Sequence, residues 1–152
     1  MRFLNSIDVS ASGLTAQRLR MDTIANNMAN VETTRVQGRT GPYRRQVVVF
    51  EARNAALAGG GFQNVLDSQI QAVGDGVRVK QIAEISEDQS PYRRVYDPSH
   101  PDADAQGYVN YPNVNIVEEM INMISSTRAY EANAKVIEAT KSMATRALNI
   151  GR

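Results

Sequence analysis

Residues 25–30 read Ala25-Asn26-Asn27-Met28-Ala29-Asn30 and close a segment with the periodicity of an α-helix. Upstream, apolar residues recur mostly in steps of three and four from Ile7 onwards, which places them along one face of a helix. We expect this helix to begin at Asn5, with Asp8 in capping-box register, and to end within residues 32–38. The narrow apolar stripe is typical of a two-helix contact and not of a fully buried helix.

The three asparagines oppose helix propensity, because a short amide competes for backbone hydrogen bonds. Two interpretations of Asn26, Asn27 and Asn30 remain open. In the first, the helix frays here and the amides cap its end. In the second, the amides form hydrogen bonds across a helix interface, where a buried Asn fixes the register at a cost in stability.

A second, longer helix is predicted at the C-terminal end of the sequence. Asn115 is a suitable N-cap, and Glu118 three residues later completes a capping box. Two adjacent apolar stripes follow, one starting at Ile116 and the other at Val117 and Ile121. Two stripes allow one helix to contact the N-terminal helix and another chain at the same time.

Long apolar stripes at both ends are unusual for a self-contained domain, because terminal segments gain little order unless something docks on them. Aromatic residues make up only 6% of the chain and Trp is absent, so part of the apolar surface is expected to await partners. These features indicate a polymer subunit and not an enzyme.

The middle of the sequence contains extended segments separated by turns. The predicted strands are 43–50, 77–82, 91–96 and 108–111. Residues 55–61, with three consecutive glycines at 59–61, are predicted to form a flexible loop. The fold class is therefore predicted as α+β, with terminal helices packed as an elongated, coiled-coil-like inner domain and a small β or extended segment between them. The expected division is 1–34 for the N-terminal helix, 35–112 for the outer segment and 113–152 for the C-terminal helix.

A short repeat occurs in the middle segment, where Pro42-Tyr43-Arg44-Arg45 recurs as Pro91-Tyr92-Arg93-Arg94. One interpretation is two strands entered from proline turns, with solvated arginines. The other is a surface that presents Tyr and Arg to a neighbouring subunit, since both residue types are enriched at interfaces.

The composition argues against several classes of function. The 152 residues include 17 Lys and Arg and 16 Asp and Glu, for a net charge of +1. No strong electrostatic field therefore favours binding to nucleic acid or to an anionic membrane. The absence of Cys excludes disulfides, thiol catalysis and Cys-ligated zinc. We expect neither a transmembrane helix nor a cleaved signal peptide, because no apolar run is long enough for either.

The only His, His100, precedes Asp102 and Asp104 in a polar segment. A metal-dependent hydrolase could use such a set, but no second His or Cys completes it and the closing Glu of an EF-hand is missing. We expect a solvent-exposed loop His, no metal, no cofactor and no enzymatic activity.

The motif that closes the first helix resembles that of a known family. Residues 25–30, followed by Val31 and Thr33-Thr34, are similar to the signature of the bacterial flagellar rod, hook and hook-associated (axial) proteins. Within this family the chain resembles a proximal rod subunit over nearly its whole length, most weakly over 52–75. The other segments that carry the resemblance are 41–46, 95–104, 107–109, 111–115, 118–120 and 128–133.

The resemblance implies a structural protein whose terminal helices fold together and stack helically around an export channel. The implied partners are further copies of the chain, the rod proteins FlgB, FlgF and FlgG, the rod adaptor FliE and the flagellar type III export apparatus. The implied location is the flagellar basal body, in the rod that crosses the periplasm, reached by export without a cleaved signal peptide.

On this basis we expect a subunit interface along the helical stripes and their asparagines, and a second, outer interface at the short repeat. The expected subunit-interface residues are Ile7, Leu14, Met21, Ile24, Asn26, Asn27, Met28, Asn30, Val31, Ile116, Met120, Met123, Ile124, Tyr130, Ile137 and Leu148. The expected outer-interface residues are Tyr43, Arg44, Arg45, Tyr92, Arg93 and Arg94.

Two alternatives remain. The chain could be another rod subunit, of the FlgB type. It could also be a coiled-coil adaptor outside the flagellum that binds one partner through its C-terminal helix. A stable, helical, monodisperse dimer would favour the adaptor.

Overall fold

The computed structural model describes residues 2–38, 41–53, 76–88 and 90–150, with side chains from residue 5 to residue 149. The element order is α1 (Arg2–Ala29), β1 (Gln46–Ala52), β2 (Val77–Glu84), β3 (Arg93–Tyr96), β4 (Tyr108–Tyr111) and α2 (Ile116–Ile150). The predicted α+β class with long terminal helices is confirmed. The flexible loop predicted at 55–61 lies outside the described residues.

Helix α1 begins at Arg2, so the predicted start at Asn5 and its capping box are wrong. A capping residue needs a non-helical backbone, whereas Asn5 lies inside the helix. The end at Ala29 comes before the predicted range of 32–38. After Ala29 the backbone N–H of Val31 donates to the carbonyl of Met28 at 3.5 Å, a three-residue step that does not continue the α-helical pattern.

Helix α2 has the predicted N-cap, because Oδ1 of Asn115 accepts the backbone N–H of Val117 at 3.0 Å. Glu118 reaches Arg45 instead, with Oε1 accepting from Nη2 at 3.1 Å. Only the first half of the predicted capping box therefore forms among the described residues.

The strands form two antiparallel pairs. β3 pairs with β4 in a register that runs from Arg93 opposite Tyr111 to Tyr96 opposite Tyr108, and β1 pairs with β2. β1 starts at Gln46, later than the predicted residue 43, because the backbone N–H of Tyr43 is bonded to the carbonyl of Thr33 at 3.1 Å. A backbone donor used in this way is not available to a strand ladder.

The chain divides into two compact units. The first unit comprises Met1–Leu19, Val49–Gln81 and Ser126–Arg152, and the second comprises Arg20–Val48 and Ile82–Ser125. In the first unit, Oγ of Ser12 accepts the backbone N–H of Val77 at 3.1 Å, which holds the start of β2 against α1. In the second unit, a buried polar network joins both helices to the segment before β1.

Candidate subunit interface

The centre of the polar network is Asn27, whose exposed fraction is 1%. Its Nδ2 donates to the carbonyl of Gln46 at 2.8 Å and to Oε2 of Glu119 at 3.1 Å. Its Oδ1 accepts the hydroxyl of Tyr43 and the backbone N–H of Gln46, both at 2.9 Å. These four bonds use the full capacity of the amide, so any other side chain at this position leaves buried groups unsatisfied.

Glu119 joins Asn27 to a buried ion pair. Nε of Arg45 donates to Oε1 of Glu119 at 2.8 Å, and the side chains are 17% and 1% exposed respectively. The backbone N–H of Arg45 donates to Oδ1 of Asn113 at 3.1 Å. Burial raises the pKa of the Tyr43 hydroxyl, and the carboxylates of Glu84 and Glu119 raise this pKa further. The network therefore fixes the turn into β1 against the helices.

The two interpretations of the asparagines apply to different residues. Asn27 is the buried amide that bonds across a helix contact, to Glu119 of the same chain. Asn30 is the amide that caps the helix end, where its Nδ2 donates to both oxygens of Asn26 at 2.9 Å. Similar residues in one motif thus have separate structural roles.

The contact between α1 and α2 within the chain is lined by polar and small residues. Asn27 meets Glu119, and a Cβ added to Gly13 would lie 2.9 Å from Nδ2 of Asn133. The contact of Asn27 with Glu119 lies within the second unit, and that of Gly13 with Asn133 lies within the first. Further polar residues on these helices are buried: Ser10, Thr23, Ser126 and Thr140.

The outward face of α2 has the opposite character. Large apolar side chains are exposed along it, with exposed fractions of 62% at Ile121 and 74% at Leu148. Eight of the thirteen exposed large apolar residues among the described side chains lie on this helix, which makes it the main candidate for a protein contact. They are Ile116, Val117, Met120, Ile121, Ile124, Val136, Met143 and Leu148.

The residues expected at the subunit interface differ in exposure. Five are exposed: Asn26, Ile116, Met120, Ile124 and Leu148. Nine are half-buried: Ile7, Leu14, Met21, Met28, Asn30, Val31, Met123, Tyr130 and Ile137. Ile24 and Asn27 are buried within the chain. The expected set omits Val117 and Ile121, although both belong to the second predicted stripe and are among the most exposed apolar residues.

The two copies of the short repeat contact each other. Nε of Arg44 donates to the hydroxyl of Tyr92 at 2.8 Å, and this hydrogen bond raises the pKa of the Arg44 guanidinium. Tyr43 and Arg45 belong to the buried network. Arg93 and Arg94 lie over tyrosine rings of β4, Tyr111 at 5.1 Å and Tyr108 at 4.8 Å. The repeat therefore ties parts of this chain together.

The polar atoms around His100 are bonded to backbone groups of their own loop and to Thr34. Nδ1 of His100 accepts the backbone N–H of Asp102 at 3.1 Å, and Oδ2 of Asp102 accepts the hydroxyl of Thr34 at 2.8 Å. Oδ1 of Asp104 accepts the backbone N–H groups of Gln106 and Tyr108, both at 2.9 Å. This loop lines a cleft of about 390 Å³ whose acidic side chains are occupied by structural bonds.

Comparison with known proteins identifies both helical regions. A family model described as flagella basal body rod protein matches residues 7–37, and one described as flagellar basal body rod FlgEFG protein C-terminal matches residues 105–150. The class is therefore that of the flagellar basal-body rod proteins.

Curated relatives extend this similarity over the whole chain. A flagellar basal-body rod protein FlgC from Bacillus subtilis is 44% identical over 155 residues, covering 100% of both chains. The FlgC of Borreliella burgdorferi is 50% identical and covers 99% of this chain and 98% of its own. The FlgC of Escherichia coli O6:H1 is 40% identical and covers 100% of both. The chain belongs to the FlgC family of flagellar basal-body rod proteins.

Within the described residues, no helix combines the length and the apolar character needed to cross a membrane. Membership of a structural rod family and the engagement of the polar atoms around His100 both favour a non-enzymatic role.

Proposed function

We propose that this chain is a structural subunit of the proximal rod of the flagellar basal body and polymerises helically through its terminal helices. The observation that carries the proposal is the exposed apolar face of α2. A monomer with this face in water lacks the hydrophobic stabilisation that burial against neighbours would provide, so assembly is the state in which the helix is most stable.

The proposed neighbours are further copies of the chain together with FlgB, FlgF, FlgG and the adaptor FliE. Residues 1–34 and 113–152 would form the inner, stacking part, and residues 35–112 the outer part. The rod would cross the periplasm, and the subunit would reach it through the flagellar type III export apparatus without cleavage of a signal peptide. The polar contacts between α1 and α2 support export as an unfolded chain, because such a contact contributes little hydrophobic stabilisation.

The test is a charge placed on the exposed face. We expect Ile121→Asp and Ile124→Asp each to abolish rod assembly and swimming when the variant replaces the natural protein, because a carboxylate cannot be buried without a partner. The measurements are a motility assay and electron microscopy of isolated basal bodies. Ser125→Asp is the matched control, since Ser125 is exposed next to Ile124 but points away from it.

Normal swimming by both isoleucine variants would contradict the proposal. If the purified natural chain instead forms a stable, helical, monodisperse dimer that ignores other rod proteins, the coiled-coil adaptor is the better assignment. Sedimentation velocity combined with circular dichroism distinguishes these two results.

A further inference from the structure

The exposed face of α1 has an ordered pattern of charged and small residues. Reading from the C-terminal end of the helix, Ala29, Ala25, Asp22, Arg18 and Thr15 follow one another at alternating steps of four and three residues, and all five are exposed. This spacing places them along one side of the helix. None of the charged members forms an ion pair among the described residues.

The outward face of α2 has a matching pattern in the opposite chain direction. Ile121, Ile124, Arg128, Glu131 and Lys135 follow at alternating steps of three and four residues and are all exposed. The apolar pair comes first, and a basic and an acidic residue follow.

We infer that the outward face of α2 packs antiparallel on the exposed face of α1 in a second copy of this chain. Ile121 and Ile124 then lie on Ala29 and Ala25, where the small side chains allow close approach. The next two positions join opposite charges, Arg128 with Asp22 and Glu131 with Arg18 in the partner copy. This inference rests on the proposed function and specifies the contact by which one subunit recognises the next.

The charge pattern selects this register over its neighbours. Sliding the helices by one heptad in one direction places Ile121 on Asp22 and Ile124 on Arg18, which buries charges against apolar side chains. Sliding in the other direction carries both isoleucines past the end of α1 at Ala29.

The chain direction is selected in the same way. A parallel arrangement that keeps the isoleucines on Ala25 and Ala29 carries Glu131 past the helix end. Because each copy offers α2 to one neighbour and α1 to another, the contact is heterologous. It therefore propagates from copy to copy, into a ring or a filament.

The register is testable by disulfide cross-linking, because the natural chain contains no Cys. Two differently tagged copies, one with Ala29→Cys and one with Ile121→Cys, are expressed together in cells that lack the natural protein. Basal bodies are isolated under mild oxidation, and the mixed disulfide is measured on a non-reducing gel. A disulfide forms only when the two Cα atoms come within about 7 Å, so this pair should cross-link efficiently.

The matched control pairs Asp22→Cys with Ile121→Cys, which is shifted by two helical turns. We expect the mixed disulfide to be at least several-fold weaker for this pair. Equal cross-linking of the two pairs, or none with either, overturns the inferred contact. Motility is scored in the same cells and reports on the proposed function separately: swimming cells without the expected disulfide contradict the contact and leave the rod assignment intact.

A charge exchange tests the same contact without Cys. Asp22→Arg and Arg128→Asp should each weaken subunit association about fivefold, a change typical of a single exposed ion pair, and the double variant should restore it. Circular dichroism checks that each variant keeps its helices. Failure of the double variant to recover, with the helices intact, contradicts the pairing.

Discussion

An ordinary amphipathic helix turns its apolar side inward and its polar side outward, whereas α2 buries polar residues and exposes large apolar ones. On the side that faces the chain itself, Glu119, Ser126 and Thr140 are buried, whereas on the other side Val117 and Ile121 are exposed. Burying one large aliphatic side chain contributes about 1.5–3 kcal/mol. The sequence therefore places large apolar side chains where they gain hydrophobic stabilisation only if a partner covers them.

The side of α2 that faces the chain buries little apolar area and instead makes the pairing of the two helices specific. Among the described residues, the buried polar side chains are nearly as numerous as the buried apolar ones, which are Ala16, Ile24, Pro42, Tyr43, Val48, Val109 and Pro112. A buried amide and a buried ion pair tolerate few alternative partners, so they define the register of the helices. The contrast teaches that this chain encodes its own helix pairing by hydrogen bonds and leaves apolar surface for the assembly proposed above.

The largest expected effect comes from breaking the inward side at Glu119. Glu119→Ala leaves the Arg45 guanidinium without its buried carboxylate and removes one acceptor of the Asn27 amide, and we expect a loss of about 3–5 kcal/mol in the free energy of unfolding. Urea unfolding, monitored by circular dichroism, measures this loss. Glu118→Ala is the control, because Glu118 also pairs with Arg45 but its side chain is 56% exposed, so the loss should stay under about 1 kcal/mol. Equal losses would contradict the comparison.

The next effect is expected at Asn27. Asn27→Ala removes four hydrogen bonds of the amide and leaves Tyr43 and Gln46 unsatisfied, at a cost of about 2–3 kcal/mol. Asn26→Ala serves as the comparison, since Asn26 is exposed and its amide makes a long 3.4 Å bond to Tyr43 and accepts an exposed 2.9 Å bond from Nδ2 of Asn30. We expect the midpoint temperature of thermal unfolding to fall clearly for Asn27→Ala and little for Asn26→Ala. A smaller shift for Asn27→Ala than for Asn26→Ala would disprove the assignment of Asn27 as the centre of the network.

The two sides can be compared directly by the same substitution. Met123 is half-buried and Ile121 is exposed, because residues two positions apart on α2 lie on different sides of the helix. Met123→Asp should lower the stability of the purified monomer by about 1–3 kcal/mol, whereas Ile121→Asp should change it by less than about 0.5 kcal/mol. Both variants should fail to assemble, the first through misfolding and the second through loss of the interface. Chemical denaturation of the monomers provides the test, and identical stabilities would contradict it.

The smallest effect concerns the polar loop between β3 and β4. The backbone N–H of Tyr108, then that of Gln106 and the guanidinium of Arg94, lower the pKa of Asp104 below its ordinary value of 3.8. The pKa of Asp104 is lower in the folded chain than in the unfolded chain. The bonds to its carboxylate therefore stabilise the fold at pH values above the ordinary pKa, and this stabilisation is lost as the pH falls through the folded pKa. NMR titration should place the Asp104 midpoint below 3.8, and Asp104→Asn should remove the accompanying shift of the Tyr108 amide. A midpoint at or above the ordinary value would be inconsistent with these bonds.

Much of the architecture could be predicted from local patterns. The helical period located both long helices, Asn115 was correctly identified as the N-cap of α2, and the segment at β4 was placed correctly. The resemblance of residues 25–30 to the axial proteins led to the family that the relatives confirm. These features depend on residues close in sequence, where propensity, capping and motif are visible without the fold.

Other predictions failed because distant residues decide the outcome. The backbone at Tyr43 and Arg45 bonds to Thr33 and Asn113, so β1 begins later than its β-branched run indicates. The start of α1 was misplaced because a capping residue and a helical residue of the same type look alike in sequence. The predicted interface residues and domain boundaries remain predictions.

The sequence by itself determined the elements and the family, since period, caps and motif are properties of neighbouring residues. Only the tertiary structure decided which side of α2 faces the chain. Both apolar stripes have helical spacing, and hydrophobicity alone would place the more apolar side inward. The choice is made by Asn27, Arg45 and Glu119, which are far apart in sequence and satisfy one another only when α2 presents its polar side to α1.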